Sequence, residues 1–232
     1  MRFQCGILVF PDVQQLDLTG PYEVFASLPA TQVHLLWKDR SAIMSSTGLS
    51  LTATMRFDEC PTLDVLCVPG GAGINALMED AEVLDFVREQ AGKARYVTSV
   101  CTGALVLGAA GLLNGRRATT HWLAHDLLGK FGAIPVPGRV VRDGNLITAG
   151  GVTAGVDFGL TVAAELAGQQ EAEAIQLLLE YAPEPPFRSG TPDEAPTAAV
   201  TRVRERMGQT RMAREAIIGR ILGSDVAKGA VA

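Results

Sequence analysis

The chain is poor in cysteine, with four in 232 residues and no C-x-x-C pair. That excludes a disulfide framework and a zinc-ribbon site, and it predicts a reducing compartment. Positive charge is not in excess either: the formal net charge is −5, so no phosphate-neutralising surface is expected and neither is a nucleic-acid partner. No apolar run is long enough to span a bilayer. The start, Met1-Arg2 followed by a short strand that Pro11 closes, lacks a signal peptide's apolar core and cleavage site. A cytoplasmic protein without membrane contact is expected. Repeats and low-complexity segments are also missing. What is abundant is apolar side chain (47%) and glycine (25 residues), the composition of a globular α/β protein.

Strand-like and helix-like patterns alternate along the chain. Gln4–Phe10, Val33–Trp37, Asp64–Pro69 and Tyr96–Val100 are short apolar, β-branched runs. The segments between them carry helical spacing, including Leu77, Val83, Leu84, Phe86, Val87 and Ala91. The first helix is expected to start near Gly20, with Pro21 at its first position. Asp143-Gly144 marks a hairpin within Val136–Thr148, and Gly150-Gly151 leads into a helix over Gly155–Ala167. This order predicts a flavodoxin-like three-layer α/β sandwich, a mostly parallel sheet in strand order 2-1-3-4-5 with helices on both faces. The linker-like stretch Arg188–Asp193 separates a domain at 1–187 from a helical tail at 188–232. The tail has six arginines between Arg202 and Arg220, but Glu205 and Glu215 interleave. Val203, Met207, Met212, Ile217, Ile218 and Ile221 offer an apolar face, which predicts packing on the domain or on a partner subunit.

Cys101 is the residue with the clearest chemical meaning. It stands where the β-branched run Tyr96–Val100 ends and a small-residue helix begins, the arrangement of a nucleophile elbow. Helix N–H groups beside the sulfur predict a thiolate near neutral pH. Cys5 and Cys67 sit inside strand-like runs and are expected to be core residues. Three loops converge at the carboxyl ends of neighbouring strands, bringing Asp17, Gly70-Gly71 and Cys101 to one pocket. Asp17, between Leu16 and Leu18, is a candidate general acid because apolar surroundings raise a carboxyl pKa. Gly70 and Gly71 are candidate anion-stabilising amides, and Thr102 is a supporting residue next to the sulfur. His121 could pair with the thiol. His121 and His125 have i, i+4 spacing, but no third ligand accompanies them and no metal is expected. His34 is mid-strand and structural.

Taken together, Pro69-Gly70-Gly71, the elbow Ser99-Val100-Cys101-Thr102-Gly103-Ala104 and the run Gly111–Trp122 resemble the PfpI-like, class I glutamine amidotransferase-like superfamily over roughly residues 3–180. Within it, the chain is similar to the isocyanide hydratase branch. The similarity lies in Pro11–Pro21, Val97–Gly103, Gly150-Gly151-Val152-Thr153-Ala154-Gly155 and Leu179–Pro183. Protease-type members have His after the nucleophile where this chain has Thr102, and many relatives have Glu where it has Asp17. The resemblance implies Cys101 as nucleophile, Asp17 as acid/base and Thr102 in support, with Gly70, Gly71 and Val152 binding substrate. It also implies a homodimer without a cofactor that hydrates small-molecule isocyanides to formamides through a Cys thioimidate. Two alternatives remain: a glyoxalase-like hydratase of α-oxoaldehydes, and a ligand-sensing domain like that of AraC-type regulators. The segment after Pro183 is too short for the latter's DNA reader.

Overall fold

The computed structural model describes residues 2–229. The first half of the chain contains β1 (Phe3–Leu8), α1 (Gln15–Ser27), β2 (Thr31–Trp37), β3 (Ala42–Met44), β4 (Ser50–Thr52), β5 (Met55–Arg56), β6 (Val65–Val68), α2 (Ile74–Leu77), α3 (Ala81–Ala91), β7 (Tyr96–Val100) and α4 (Gly103–Ala109). Then come β8 (Arg117–Ala118), a 3-10 helix over Trp122–Phe131, β9 (Ile134–Pro135), β10 (Val140–Asp143), β11 (Leu146–Ala149), α5 (Ala154–Ala167), α6 (Gln169–Leu178) and α7 (Thr197–Gly229).

The main sheet has the order β10-β11-β7-β6-β1-β2-β5. Its five central strands are parallel and follow the expected order 2-1-3-4-5, while β10 closes one edge as the antiparallel arm of the hairpin turned at Gly144. Every residue of β6 and β7 is buried. A strand covered on both faces needs no alternation, which explains why these runs are continuously apolar. On one face α1 packs against α5, and on the other α3 packs against α4. Phe10, Phe25 and Phe158 are fully buried, each contributing about 2–3 kcal/mol of transfer free energy.

Three expectations need correction. Helix α1 begins at Gln15, well before Gly20, and Pro21 lies inside it. The N-terminus is set by Gln14, which is extended and whose carbonyl accepts from Asp17 N–H at 2.9 Å. Pro21 then merely leaves the Asp17 carbonyl without its intrahelical donor. The helical pattern after Gly73 is two helices, because Asp80 caps a new start by accepting from Val83 N–H. In α7, Ile218 lies in the core and Ile217 and Ile221 pack against it, but Val203 and Met212 are exposed and one of the arginines, Arg214, is buried. The inward face of this helix is therefore not the one that apolar residues alone define.

Candidate active site

Strand β7 delivers Cys101 in a left-handed conformation, φ +54°, which costs a residue with a Cβ about 1–2 kcal/mol. Three hydrogen bonds hold the turn. Cys101 N–H donates to the carbonyls of Ala149 (3.1 Å) and Gly150 (2.9 Å), and Thr120 Oγ1 donates to the Cys101 carbonyl at 2.7 Å. The next turn starts so close to β6 that a Cβ on Gly103 would lie 1.9 Å from the Val68 carbonyl oxygen. Only glycine allows α4 to begin there. Gly103→Ala is expected to destabilise the protein by about 3 kcal/mol, the upper end of overpacking costs, read as a lower urea midpoint with an unchanged slope.

Asp17 reaches the same point from the first turn of α1 and is fully buried. Its Oδ2 accepts from Gly70 N–H at 2.9 Å. The Cys101 thiol faces the same carboxyl, and Oδ1 has no other partner. Burial raises the Asp17 pKa to about 7, against the pull of Gly70 N–H and the thiol. Burial also pushes the Cys101 thiol well up, as does the Asp17 charge, while the N–H groups of Thr102 and Val152 favour the thiolate.

The expectation of an exposed thiolate is thus corrected. Cys101 is 6% exposed, and burial and the Asp17 charge oppose the Thr102 and Val152 N–H groups, so the sulfur is a buried group that shares a proton with the carboxyl. Asp17 is a carboxyl poised near neutrality.

Gly70 and Gly71 join the loops after β1 and β6. Gly70 carbonyl accepts from Gln14 N–H at 2.9 Å, and Gly71 bridges Val13 with φ +137°. A Cβ on Gly71 would fall 2.4 Å from the Asp12 carbonyl oxygen. Their own N–H groups are engaged: Gly70 N–H on Asp17, and Gly71 N–H on Thr102 Oγ1 at 3.2 Å. The amides turned towards the sulfur are those of Thr102 and Val152. The glycine pair therefore positions the acid and the threonine, which differs from the expectation of two free anion-binding amides.

Val152 opens onto a cleft of about 580 Å³, shared with His121, Trp122, His125 and Thr153 and walled by residues 190–193. His121 Nδ1 accepts from Leu123 N–H at 3.3 Å, capping the 3-10 helix. Burial and Arg214 lower its pKa, which keeps the ring neutral. Among the described residues it makes no hydrogen bond to Cys101, so the two are neighbours across the elbow rather than a pair.

Sequence reasoning missed Arg214. Its side chain leaves α7 and enters the site, with Nε on Asn75 Oδ1 (3.0 Å) and Nη2 at 3.5 Å from the Gly71 carbonyl oxygen. A signal existed: Arg214, Ile218 and Ile221 recur at i, i+4, i+7, which places one arginine on the inward stripe.

Residues 4–165 match the model of the DJ-1/PfpI family. The chain is 66% identical over 206 residues to an isonitrile hydratase of Pseudomonas putida, an alignment covering 89% of this chain and 90% of that protein. A crystal structure of a ThiJ/PfpI family protein from Pseudomonas syringae superposes with a TM-score of 0.92 at 44% identity, covering 94% of this chain and 91% of that one. An HTH-type transcriptional regulator of Pseudomonas aeruginosa, GbdR, is 31% identical over 150 residues, which is 64% of this chain and 41% of the regulator.

Proposed function

The chain belongs to the DJ-1/PfpI family, and on that premise we propose that it is an isocyanide hydratase that converts isocyanides to N-substituted formamides. The observation that carries this reading is the buried Cys101–Asp17 pair, a nucleophile and a proton carrier at one point. The high identity to the isonitrile hydratase over most of both chains supports it.

An isocyanide's terminal carbon must gain a bond to a nucleophile and a bond to hydrogen. The pair can supply both. Asp17 takes the thiol proton as sulfur attacks and delivers it to that carbon, giving the thioimidate Cys101–S–CH=N–R. Thr102 N–H and Val152 N–H stabilise negative charge on sulfur while the proton is in transit. Asp17 then deprotonates water as it adds to the thioimidate carbon and hands that proton to the nitrogen, giving HO–CH(S–Cys101)–NH–R. Collapse of this adduct breaks the C–S bond as the hydroxyl proton passes through Asp17 to the departing sulfur, which releases R–NH–CHO and restores the starting state. Overall, one isocyanide and one water give one formamide, and no cofactor enters the balance. In this scheme Gly70 and Gly71 hold Asp17 and Thr102 in place, His121 and Val152 border the substituent R, and the cleft at Val152 receives it.

Residues 1–187 are read as the catalytic domain and 188–232 as a helical tail, of which the part up to 229 packs on it while residues 1 and 230–232 lie outside the described residues. The protein is read as a cytoplasmic homodimer acting on a small molecule; exposed Leu177, Leu178 and Phe187 support a subunit contact. Incubation with an aryl isocyanide, followed by mass spectrometry of the quenched protein, is expected to show formamide and an adduct of isocyanide mass on Cys101. Turnover of an α-oxoaldehyde with no formamide from any isocyanide would replace this reading with the glyoxalase-like one.

A further inference from the structure

Arg214 is 5% exposed and has no carboxylate partner among the described residues. Its hydrogen bonds go to an amide side chain and a backbone carbonyl, both neutral. The acids near its own stretch of helix are taken: Arg211 holds Asp126 and Glu215. A guanidinium does not shed its proton in a protein, and burying an uncompensated charge costs several kcal/mol. Such a cation persists where a negative charge answers it.

The contacts lead to that charge in short steps. Arg214 touches the Gly71 carbonyl, which Thr102 Oγ1 also approaches at 3.5 Å, and Thr102 N–H faces the Cys101 sulfur. Asp17 is bound one residue away, at Gly70. The groups facing this centre are Asp17 from α1, Cys67 from β6, whose thiol is pushed up to about 12 by burial and Asp17, Cys101 at the elbow, His121 at the cap of the 3-10 helix, and Arg214 with Arg211 behind it on α7. Of these, His121 is neutral and Arg211 is ion-paired outward.

We propose that Arg214 is the counter-ion of the Cys101–Asp17 pair, a positioning residue sent in from the C-terminal helix to hold negative charge at the elbow while the shared proton is on the substrate. When Cys101 ionises, its negative charge favours the charged guanidinium of Arg214, against burial and Arg211. The helical tail is therefore part of the reacting centre's electrostatics and not only a cover.

The test is the pH dependence of Cys101 alkylation by iodoacetamide, which needs no isocyanide. It separates failure of this inference from failure of the hydratase reading, on which only the turnover comparison rests. Arg214→Met is expected to move the alkylation profile up by about one pH unit, as loss of a neighbouring opposite charge does. It should also lower kcat for isocyanide with little change in KM. Arg214→Lys, which keeps the charge but loses the planar fork, is expected to stay within a few tenths of a pH unit of wild type. Arg220→Met cuts the surface bridge from α7 to Glu79 and should leave the profile in place. The inference is overturned if Arg214→Met titrates like wild type. It is equally overturned if Arg214→Lys shifts as far as the Met variant, since the side chain would then be a hydrogen-bonded brace whose charge is immaterial. Should Arg214→Met not fold, Arg214→Gln, which also removes the charge but keeps a polar group for Asn75, takes its place on the same two criteria.

Discussion

Asp17→Asn is expected to lower isocyanide turnover by about 10³-fold, within the range of a lost general acid–base group, while leaving a folded protein. An amide is nearly the same size as a carboxyl and can keep the Gly70 N–H bond through its oxygen, so the loop clasp survives. What it cannot do is take the proton from sulfur and pass it on. Formamide production should fall, and the thioimidate adduct should fail to build up, because the missing step precedes it.

The same variant has a stability signature of definite sign. The Asp17 pKa rises from 3.8 to about 7 on folding, mainly through burial, so the folded state binds the proton more tightly than the unfolded one. Wild-type stability from this group is full below about pH 4 and is lost as pH climbs through about 7. The asparagine variant, with no proton to lose, has no such decline. Thermal melts of the two proteins should therefore diverge in favour of Asp17→Asn between pH 4 and pH 8. Parallel curves would show that the carboxyl is not desolvated as described.

Cys101→Ala is expected to reduce hydration to the uncatalysed background and to abolish the adduct. Cys101→Gly should be just as inactive but more stable than the alanine variant. Alanine keeps the strain of φ +54°, worth about 1–2 kcal/mol. Glycine relieves it and gives back about 0.4–1 kcal/mol through its freer unfolded chain. The net gain near 1 kcal/mol corresponds to a Tm higher by about 2–4 °C for a domain of this size. The elbow is thus a place where the fold holds strain to aim one sulfur. An alanine variant as stable as the glycine one would mean that the turn relaxes around Cβ.

Much of this was legible in the residues. The central strands announce themselves as apolar β-branched runs, and their alternation with helical spacing leads to a parallel sheet, because only a crossover joins neighbouring parallel strands. Cys101 was legible because Thr102-Gly103-Ala104 is poor core filling but suits a tight turn, and Asp17 because it interrupts an apolar stretch. The protonation of the pair was not. Whether a helix terminus or desolvation governs a thiol depends on what covers it, and the cover comes from segments distant in sequence. Arg214 was obscured for a similar reason: it is one of several arginines in the tail, and only the docking of α7 separates it from those that face water.

The wall of the cleft formed by residues 190–193 belongs to an exposed connector between α6 and α7. No sheet or core packing depends on those side chains, whereas the opposite wall is built from the elbow's own supports. Replacements in the connector are consequently free to reshape the berth for the substituent while reactivity at sulfur stays put, which makes that short stretch the natural ground for evolving or engineering a taste for bulkier isocyanides.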